Sequence, residues 1–228
     1  MSGFIAIEGL DGSGKSTQIE LLIKYLHEND IQTKFIHFPR VHEGIFGDLI
    51  SKFLRGEFGD VASVHPQLVA LLFAQDRKEF SATINDWLKN DYFVLVDRYV
   101  LSNIAFQCAK LTDENERKYL RDWINNLEYN HYKIPKPDFS IYLDVPFGFV
   151  TAALEERRKT KERAYLNDKD DIHENDYSLQ KRVKEQYDTL CKVDDTIHRI
   201  NCADANNKMR SIQSIHQEIV DMINVKIS

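Results

Sequence analysis

The sequence contains few cysteines, and their placement excludes two common uses of this residue. The three that occur, Cys108, Cys191 and Cys202, include no C-x-x-C pair of the kind found in zinc and redox sites. An odd number of widely spaced cysteines also does not make a disulfide framework. The eight histidines show no metal-ligand spacing either, so we assign none of them a catalytic role. We expect a protein of a reducing compartment, the cytoplasm.

Positive charge and long apolar runs are scarce as well. The chain carries 30 Lys and Arg against 36 Asp and Glu, a formal net charge of -6, whereas binding a nucleic-acid backbone requires a basic face. No apolar stretch reaches the length that spans a bilayer, and the N-terminal stretch lacks the basic start of a signal peptide. We expect no nucleic-acid or membrane partner, and any phosphate that is bound should belong to a small ligand.

The chain also lacks Ser/Gly linkers, internal repeats and low-complexity tracts, so we expect one domain over residues 1–228. A hydrophobic content of 43% is enough for a single core of this size. Composition changes only at about 155–176, where a basic run is followed by an acidic stretch with almost no apolar residues. This segment is predicted to be a mobile, solvated flap.

Short apolar runs alternate with helical patterns, which is typical of a parallel sheet. These runs are rich in β-branched and aromatic residues and cover 4–7, 34–38, 93–96, 139–143 and 196–200. Between the first two, Ile19, Leu22, Ile23 and Leu26 repeat at helical spacing. The pattern predicts an α/β protein with five parallel strands.

A glycine-rich segment directly follows the first predicted strand. Residues 9–16 fit the Walker A pattern, with a strand before them and an amphipathic helix after them. Backbone N–H groups of such a loop bind phosphate oxygens, and the helix N-terminus adds partial positive charge. Lys15 should reach the outer phosphates of ATP, and Ser16 should hold Mg²⁺. The expected ATP-binding residues are Gly9, Leu10, Asp11, Gly12, Ser13, Gly14, Lys15, Ser16 and Thr17.

The third predicted strand ends in a carboxylate, Asp97, as a Walker B strand does when its acid lies near the Mg²⁺ shell. Arg98 and Tyr99 follow at the carboxyl end of the strand, where open parallel sheets bind their ligands. The alternative is a surface salt bridge between these charges and their neighbours. With a Walker A motif in the same chain, we favour the functional interpretation.

The second predicted strand ends in Phe38, Pro39 and Arg40, which places a ring, a rigid bend and a guanidinium at the edge expected for the loop. A ring can stack on a base, and an arginine can bind a phosphate with two hydrogen bonds. The alternative for this segment is a buried Phe38 and a solvated Arg40.

Together these segments resemble the thymidylate kinase family over nearly the whole chain. The residues that carry the resemblance are 7–17, 38–40, 72–77, 97–99, Ser102, Asn103, 135–138, 171–174, Gln180, Arg182, Val183 and Tyr187. The resemblance implies a nucleoside-monophosphate-kinase-like three-layer α/β/α fold with a helical lid at about 155–176. It also implies transfer of the ATP γ-phosphoryl group to dTMP with Mg²⁺, in a homodimer.

The resemblance assigns roles around the thymine base. Phe38 would stack on the base, Arg77 would donate to its carbonyl, and Asn103 would lie beside its edge. The alternative for Arg77 is a structural pair with Asp76 on the helix surface.

The phosphate and sugar of the acceptor have their own residues in this resemblance. Arg40 and Arg98 would hold the phosphate, and Phe106 would line the sugar side. Asp11 and Glu174 are similar to family acids near the 3′-hydroxyl.

The P-loop departs from part of the family at one position. Some members have an arginine where this chain has Gly12, and members with glycine there resemble this chain in carrying basic residues in the lid. The candidates for the missing catalytic charge are Arg157, Arg158 and Arg163, with Arg163 as our first choice.

Two other functions use a loop of this kind. A deoxynucleoside kinase must take a proton from a neutral hydroxyl and needs a carboxylate base at the second strand, where this chain has Phe-Pro-Arg. A GTPase switch needs an Asn-Lys-x-Asp element, which does not occur. Because the phosphate acceptor is already an anion, we expect catalysis by positioning and by charge neutralisation through Lys15, Mg²⁺ and arginines.

Overall fold

The structure, a computed structural model, describes residues 3–160 and 171–227. Five parallel strands form one sheet in the order β2-β3-β1-β4-β5. The strands are β1 Gly3–Glu8, β2 Thr33–His37, β3 Phe93–Asp97, β4 Phe139–Asp144 and β5 Ile197–Asn201. The predicted α/β class and the five parallel strands are confirmed, and each strand end lies within one residue of its predicted position.

Helices connect the strands and cover the sheet. They are α1 Lys15–Glu28, α2 Gly44–Leu54, α3 Pro66–Lys89, α4 Val100–Cys108, α5 Glu114–Asn125, α6 Phe147–Thr160, α7 Ile172–Asn175, α8 Tyr177–Val193 and α9 Ile212–Ile227. A π-helix, Asn126–His131, continues α5. None of the helices in the described ranges is both long and apolar enough to cross a bilayer.

The sequence determines where several helices begin. Pro66 is the first residue of α3, where its missing N–H costs nothing. The carboxylates of Asp113, Asp171 and Asp176 precede α5, α7 and α8 and accept backbone N–H groups of the first turn. The caps at Asp171 and Asp176 thus determine where α7 and α8 begin.

The three central strands, β1, β3 and β4, are buried along their whole length. Helices α1 and α9 pack against each other and the sheet, and α3, α4, α5 and α8 form a second group. A strand that is covered on both faces has a continuous apolar sequence, which is why these strands could be predicted from the sequence. The result is the three-layer arrangement expected for a P-loop kinase.

The strand order brings three chain segments to one edge of the sheet. Strand β3 lies between β2 and β1, and its last residue, Asp97, is level with His37 of β2 and Ile7 of β1. The chain leaves these strands at Phe38, Arg98 and Gly9. The Walker A loop, the segment 38–40 and the segment 97–99 therefore meet at this edge.

Candidate active site

The loop between β1 and α1 has the backbone of a phosphate-binding turn. Gly12 and Gly14 have φ angles of +73° and +82°, in the left-handed region that favours glycine. A Cβ added at Gly12 would lie 3.0 Å from the Cβ of Ala153 on α6. An arginine at this position would therefore be strained by its backbone and crowded by α6, which gives a physical reason for its absence.

Lys15, the first residue of α1, lies over this loop. Its Nζ donates to the carbonyl of Leu10 at 2.9 Å and, more weakly, to that of Gly9 at 3.4 Å. The side chain is almost fully buried, whereas the next two residues, Ser16 and Thr17, are exposed. The ammonium is thus held where the outer phosphates of a nucleotide on the loop would lie.

Asp97 is a buried carboxylate with one oxygen available. Its Oδ2 is 3.0 Å from Nδ1 of His37, and its buried Oδ1 has no hydrogen-bond partner among the described residues. Burial alone would raise the pKa of Asp97. Lys15 and His37 lower this pKa by more than burial raises it, so the net shift is downward. An ionised oxygen of this kind suits Mg²⁺, which prefers hard oxygen ligands.

No group of three or more His, Cys, Asp or Glu side chains within residues 3–160 and 171–227 could hold a metal ion. In P-loop enzymes a Mg²⁺ ion is held jointly by the protein and the phosphates of the bound nucleotide. The residues fit such an ion, because the hydroxyl of Ser16 and Oδ1 of Asp97 stand at the loop and at the end of the neighbouring strand.

A cavity of about 510 Å³ opens beside the loop, at the carboxyl ends of β2 and β3. This volume is in the range of small-molecule sites. Of the predicted acceptor residues, those that line it are Asp11, Phe38, Arg77, Arg98, Asn103, Phe106 and Glu174. The cavity is distinct from the P-loop but shares Asp11 with it, so two ligands could meet at this residue.

Phe38 forms part of an aromatic wall of the cavity. Its ring is buried, with centroids 5.9 Å from Tyr99 and 6.3 Å from Phe80. These contacts hold the ring rigidly, and a rigid ring is a suitable stacking surface for a base.

Arg77 is held by a residue that belongs to none of the sequence motifs. Its Nε and Nη2 each donate to the carboxylate of Glu128 at 2.6 Å, and both side chains are buried. The same carboxylate accepts from Nδ2 of Asn103 at 3.0 Å. The structural alternative predicted for Arg77, a surface pair with Asp76, is not what the structure contains.

Arg98 connects the cavity to the P-loop. Its Nη2 donates to Oδ1 of Asp11 at 2.7 Å, and its Nη1 donates to Ser102 at 2.9 Å. Burial alone would lower the pKa of Arg98, but the nearby acids, Asp11 first among them, raise it on balance. The guanidinium is therefore charged at every accessible pH.

The backbone at Arg98 is also unusual. Its φ angle of +66° lies in the left-handed region, which is sparsely populated by residues other than glycine. The next N–H, of Tyr99, donates to the buried carboxylate of Glu8 at 2.8 Å. Glu8 also accepts from the hydroxyl groups of Ser102 and Tyr187, at 2.5 and 2.9 Å. This network fixes the turn that directs Arg98 into the cavity.

Arg40 lies apart from the other predicted phosphate ligand. Its Nε and backbone N–H each donate to Asp76 at 2.9 Å, and its remaining nitrogens reach Glu43 at 3.0 Å and Glu79 at 3.3 Å. Arg40 is not among the residues that line the cavity. Three carboxylates surround its charge, so the structure does not bring Arg40 and Arg98 together on one ligand.

The short helix α7 forms one side of the cavity. His173 is buried, with its ring 5.3 Å from those of Phe53 and Phe106, and Glu174 is buried beside it. Burial lowers the pKa of His173 well below its usual value, and Lys110 lowers it further. Gln180 of α8 donates from Nε2 to Oδ2 of Asp11 at 3.1 Å and so ties this side to the P-loop.

The predicted lid arginines have no described geometry. Arg163 lies outside the described residues, and the side chains of Arg157 and Arg158 are likewise outside what the structure describes. Their role stays a prediction from the resemblance.

Sequence reasoning missed Glu8, Glu128 and His37 as parts of the site. A charged residue at the end of the apolar run of β1 was a usable signal for Glu8, because such a residue is buried only with partners. Glu128 carried no such signal, since it lies in a polar segment between a helix and a strand.

A phosphate-binding loop, a second cavity beside it and an arginine between the two define a P-loop nucleoside monophosphate kinase. The family model for thymidylate kinase matches residues 7–219, and the chain belongs to the thymidylate kinase family.

Known members of the family agree with this assignment over most of their length. The chain is 31% identical to a thymidylate kinase of Plasmodium falciparum over 217 residues, which are 95% of this chain and 87% of that protein. It is 34% identical to a thymidylate kinase of Mycobacterium tuberculosis over 186 residues, 82% of this chain and 84% of that protein. A solved thymidylate kinase structure from Candida albicans has a TM-score of 0.70 and 28% identity, and the match covers 98% of this chain and 92% of that one.

Proposed function

We propose that the protein phosphorylates dTMP, with ATP bound on the P-loop and dTMP bound in the 510 Å³ cavity, giving dTDP and ADP. The observation that carries this placement is Arg98, which lines the cavity and donates to Asp11 of the loop at 2.7 Å. One charged group thus lies between the two ligand sites. The two alternatives drawn from the sequence, a deoxynucleoside kinase and a GTPase switch, have no comparable support.

The reaction joins two anions, so its main requirement is neutralisation of negative charge. Lys15 and Arg98 supply fixed positive charge on the two sides of the phosphoryl group in transfer. The acceptor oxygen is an ionised phosphate oxygen, so a general base is not required. Near in-line positioning of donor and acceptor by two rigid sites supplies the rest of the rate enhancement.

Mg²⁺ is part of this proposal as a partner of ATP. The ion would neutralise charge on the β- and γ-phosphates. Ser16 and Asp97 would hold it, and the support is the partnerless Oδ1 of Asp97 among the described residues.

The cavity residues take the roles that the resemblance assigns. Phe38 packs against thymine, Arg77 and Asn103 contact its edge, and Phe106 borders the sugar. Asp11 of the P-loop and Glu174 of α7 both line the cavity, and the resemblance places them near the 3′-hydroxyl. Arg98 is the phosphate ligand best supported by position. For Arg40, a direct phosphate contact would require exchange of at least one of its acidic partners.

The catalytic lid arginine stays a proposal, with Arg163 as first choice. Its support is indirect: the left-handed backbone at Gly12 and the nearby Ala153 disfavour an arginine at this position of the P-loop. We therefore propose that the charge that some family members place in the P-loop comes from the lid in this chain.

Assembly and location are proposed on coarser grounds. The homodimer is proposed from the resemblance to the family, and the mostly exposed apolar side chains of Ile45 on α2 and Leu68 on α3 are compatible with it. The three cysteines are free, which is consistent with a cytoplasmic protein. We also propose that residues 1–228 form one catalytic domain, with a lid at 155–176.

The test is acceptor selection. The purified protein is given ATP, Mg²⁺ and one nucleoside monophosphate at a time, and ADP release is measured. We expect dTMP to be best, dUMP to be lower by about ten- to two-hundredfold in kcat/KM for loss of one methyl group, and dCMP to be lower by roughly ten-thousandfold. A purine monophosphate that is phosphorylated faster than dTMP would contradict the proposal, as would thymidine used in preference to dTMP.

A further inference from the structure

Glu128 is a buried acid with no place in the reaction described above. Its side chain is completely buried, and acids are almost never buried in this way unless they are paired. It lies in the π-helix, Asn126–His131. Helical turns of this type occur mostly as local insertions, frequently at functional sites. The position of Glu128 therefore calls for an explanation beyond folding of the segment.

The carboxylate of Glu128 touches both residues assigned to the edge of the base. Oε2 accepts from Nε of Arg77 at 2.6 Å, and Oε1 accepts from Nη2 of Arg77 at 2.6 Å and from Nδ2 of Asn103 at 3.0 Å. Two parallel bonds to a guanidinium fix its plane as well as its position. Arg77 is therefore held in one orientation, with Nη1 outside this pair.

The same carboxylate determines which end of the Asn103 amide faces the cavity. Nδ2 of Asn103 donates to Oε1 of Glu128 and to the carbonyl of Ala70, both at 3.0 Å. If the amide were turned over, its oxygen would face two acceptors. Oδ1 is thus the end left for a ligand, and it is buried with no hydrogen-bond partner among the described residues. An unpaired buried acceptor beside a cavity is costly unless a ligand donates to it.

We infer that Glu128 is the positioning residue that sets base selectivity, by fixing Arg77 as a donor and Asn103 Oδ1 as an acceptor on the cavity wall. This inference rests on the proposed function. A pyrimidine with a 4-keto group offers an acceptor at O4 and a donor at N3–H, which complement the two fixed groups. A 4-amino pyrimidine offers a donor and an acceptor in the same places, so both contacts become mismatched.

A purely structural role makes a different prediction. If Glu128 only neutralises Arg77, any acid that preserves the charge should preserve selectivity. If Glu128 positions both residues, the reach of the carboxylate matters too. Glu128→Asp keeps the charge but shortens the side chain by one methylene, so its carboxylate cannot hold the guanidinium and the amide at the observed distances.

The experiment compares kcat/KM for dTMP and dCMP in wild type, Glu128→Gln and Glu128→Asp, using only variants that show cooperative thermal unfolding. Glu128→Gln removes the charge at nearly constant shape, and Glu128→Asp serves if loss of the buried charge prevents folding of the first variant. We expect the ratio of kcat/KM for dTMP to kcat/KM for dCMP to fall at least tenfold. This change should come from the KM values of the two acceptors, and the KM for ATP should stay unchanged. Glu114→Gln, an exposed acid-to-amide change on α5, is the matched control and should keep the wild-type ratio.

A double-mutant cycle tests the connection to the amide. In an Asn103→Ala background, the Glu128 variant should change the ratio less than it does in wild type, because the acceptor that it positions is gone. A folded Glu128 variant with the full wild-type ratio overturns the inference. Failure of wild type to phosphorylate dTMP would instead contradict the proposed function, so the two failures are distinguishable.

Discussion

Arg98 and Asp11 are joined by a hydrogen-bonded ion pair of 2.7 Å that connects the end of β3 to the P-loop. Arg98 and Asp11 both line the cavity proposed for dTMP, and Asp11 also belongs to the P-loop proposed for ATP. In the proposed function, this pair would set the spacing between the two substrates before either one binds. This preorganisation is the main contribution that a protein can make to phosphoryl transfer.

Replacing Lys15 with alanine should leave a folded protein with greatly reduced transfer. The substitution removes one positive charge from a largely buried position over the loop, where electrostatic stabilisation is strong. We expect kcat to fall by about two to three orders of magnitude or more. The measurement is ADP release under saturating dTMP, with circular dichroism as the control for folding. Near wild-type turnover would contradict the assignment of the P-loop.

Arg98→Met should weaken dTMP binding more than ATP binding. Arg98 lines the cavity, whereas a P-loop binds nucleotide phosphates through backbone N–H groups and its lysine. A lost charge-assisted contact corresponds to about 1.5–3 kcal/mol, roughly ten- to a hundredfold in affinity. Calorimetric titration with each nucleotide measures both effects. Equal losses for the two nucleotides would indicate a general structural defect.

Arg40→Met provides an informative comparison. Because Asp76, Glu43 and Glu79 surround its guanidinium, its removal leaves the buried Asp76 without its cationic partner. We expect a loss of about 3–5 kcal/mol in the free energy of unfolding, measured by urea denaturation. A stable variant with selectively weakened dTMP binding would instead support the direct phosphate role that the resemblance implies.

Arg163→Ala should lower kcat by roughly a hundredfold or more, with little change in dTMP affinity, if the lid supplies the charge that Gly12 cannot. Arg157→Ala and Arg158→Ala are the matched comparisons. Single-turnover kinetics separates the chemical step from product release. Full kcat in all three variants would show that the charge comes from another part of the protein.

Lys110 should make stability depend on pH. Its Nζ lies 4.8 Å from the ring centroid of Phe53 and has no hydrogen-bond partner among the described residues. Burial lowers the pKa of Lys110 from its usual 10.5 to about 7. Between these values the unfolded chain holds a proton that the folded chain does not, so the free energy of unfolding should rise with pH in this window. Below pH 7 the destabilisation is complete.

Lys110→Met tests this directly, because methionine keeps most of the side-chain volume and carries no charge. We expect the variant to be more stable than wild type by about 2–4 kcal/mol at pH 6, with the difference shrinking as the pH approaches 10. Denaturant unfolding at several pH values gives the comparison. Parallel pH profiles for the two proteins would contradict the assignment.

The sequence predicted the sheet and most of the cavity for identifiable reasons. Buried parallel strands are continuous apolar runs, and their carboxyl ends must share one edge, so Asp97, Phe38 and the P-loop could be placed together from the sequence alone. The partners of the arginines could not be predicted. Nothing in the local pattern distinguishes Arg40, enclosed by acids, from Arg98, which enters the cavity, because the difference depends on contacts between distant segments.

Glu8 links the P-loop strand to helices α4 and α8, through Ser102 and Tyr187. Burial and the charge of Glu8 raise the pKa of Tyr187 well above its usual value, so its hydroxyl remains a donor throughout the physiological range. Tilting α8 at Tyr187 would leave a buried carboxylate short of one donor, at a cost of about 1–3 kcal/mol. The second half of α8 is therefore tied to the strand that carries the P-loop, and a movement of α8 away from the sheet would have to break this contact.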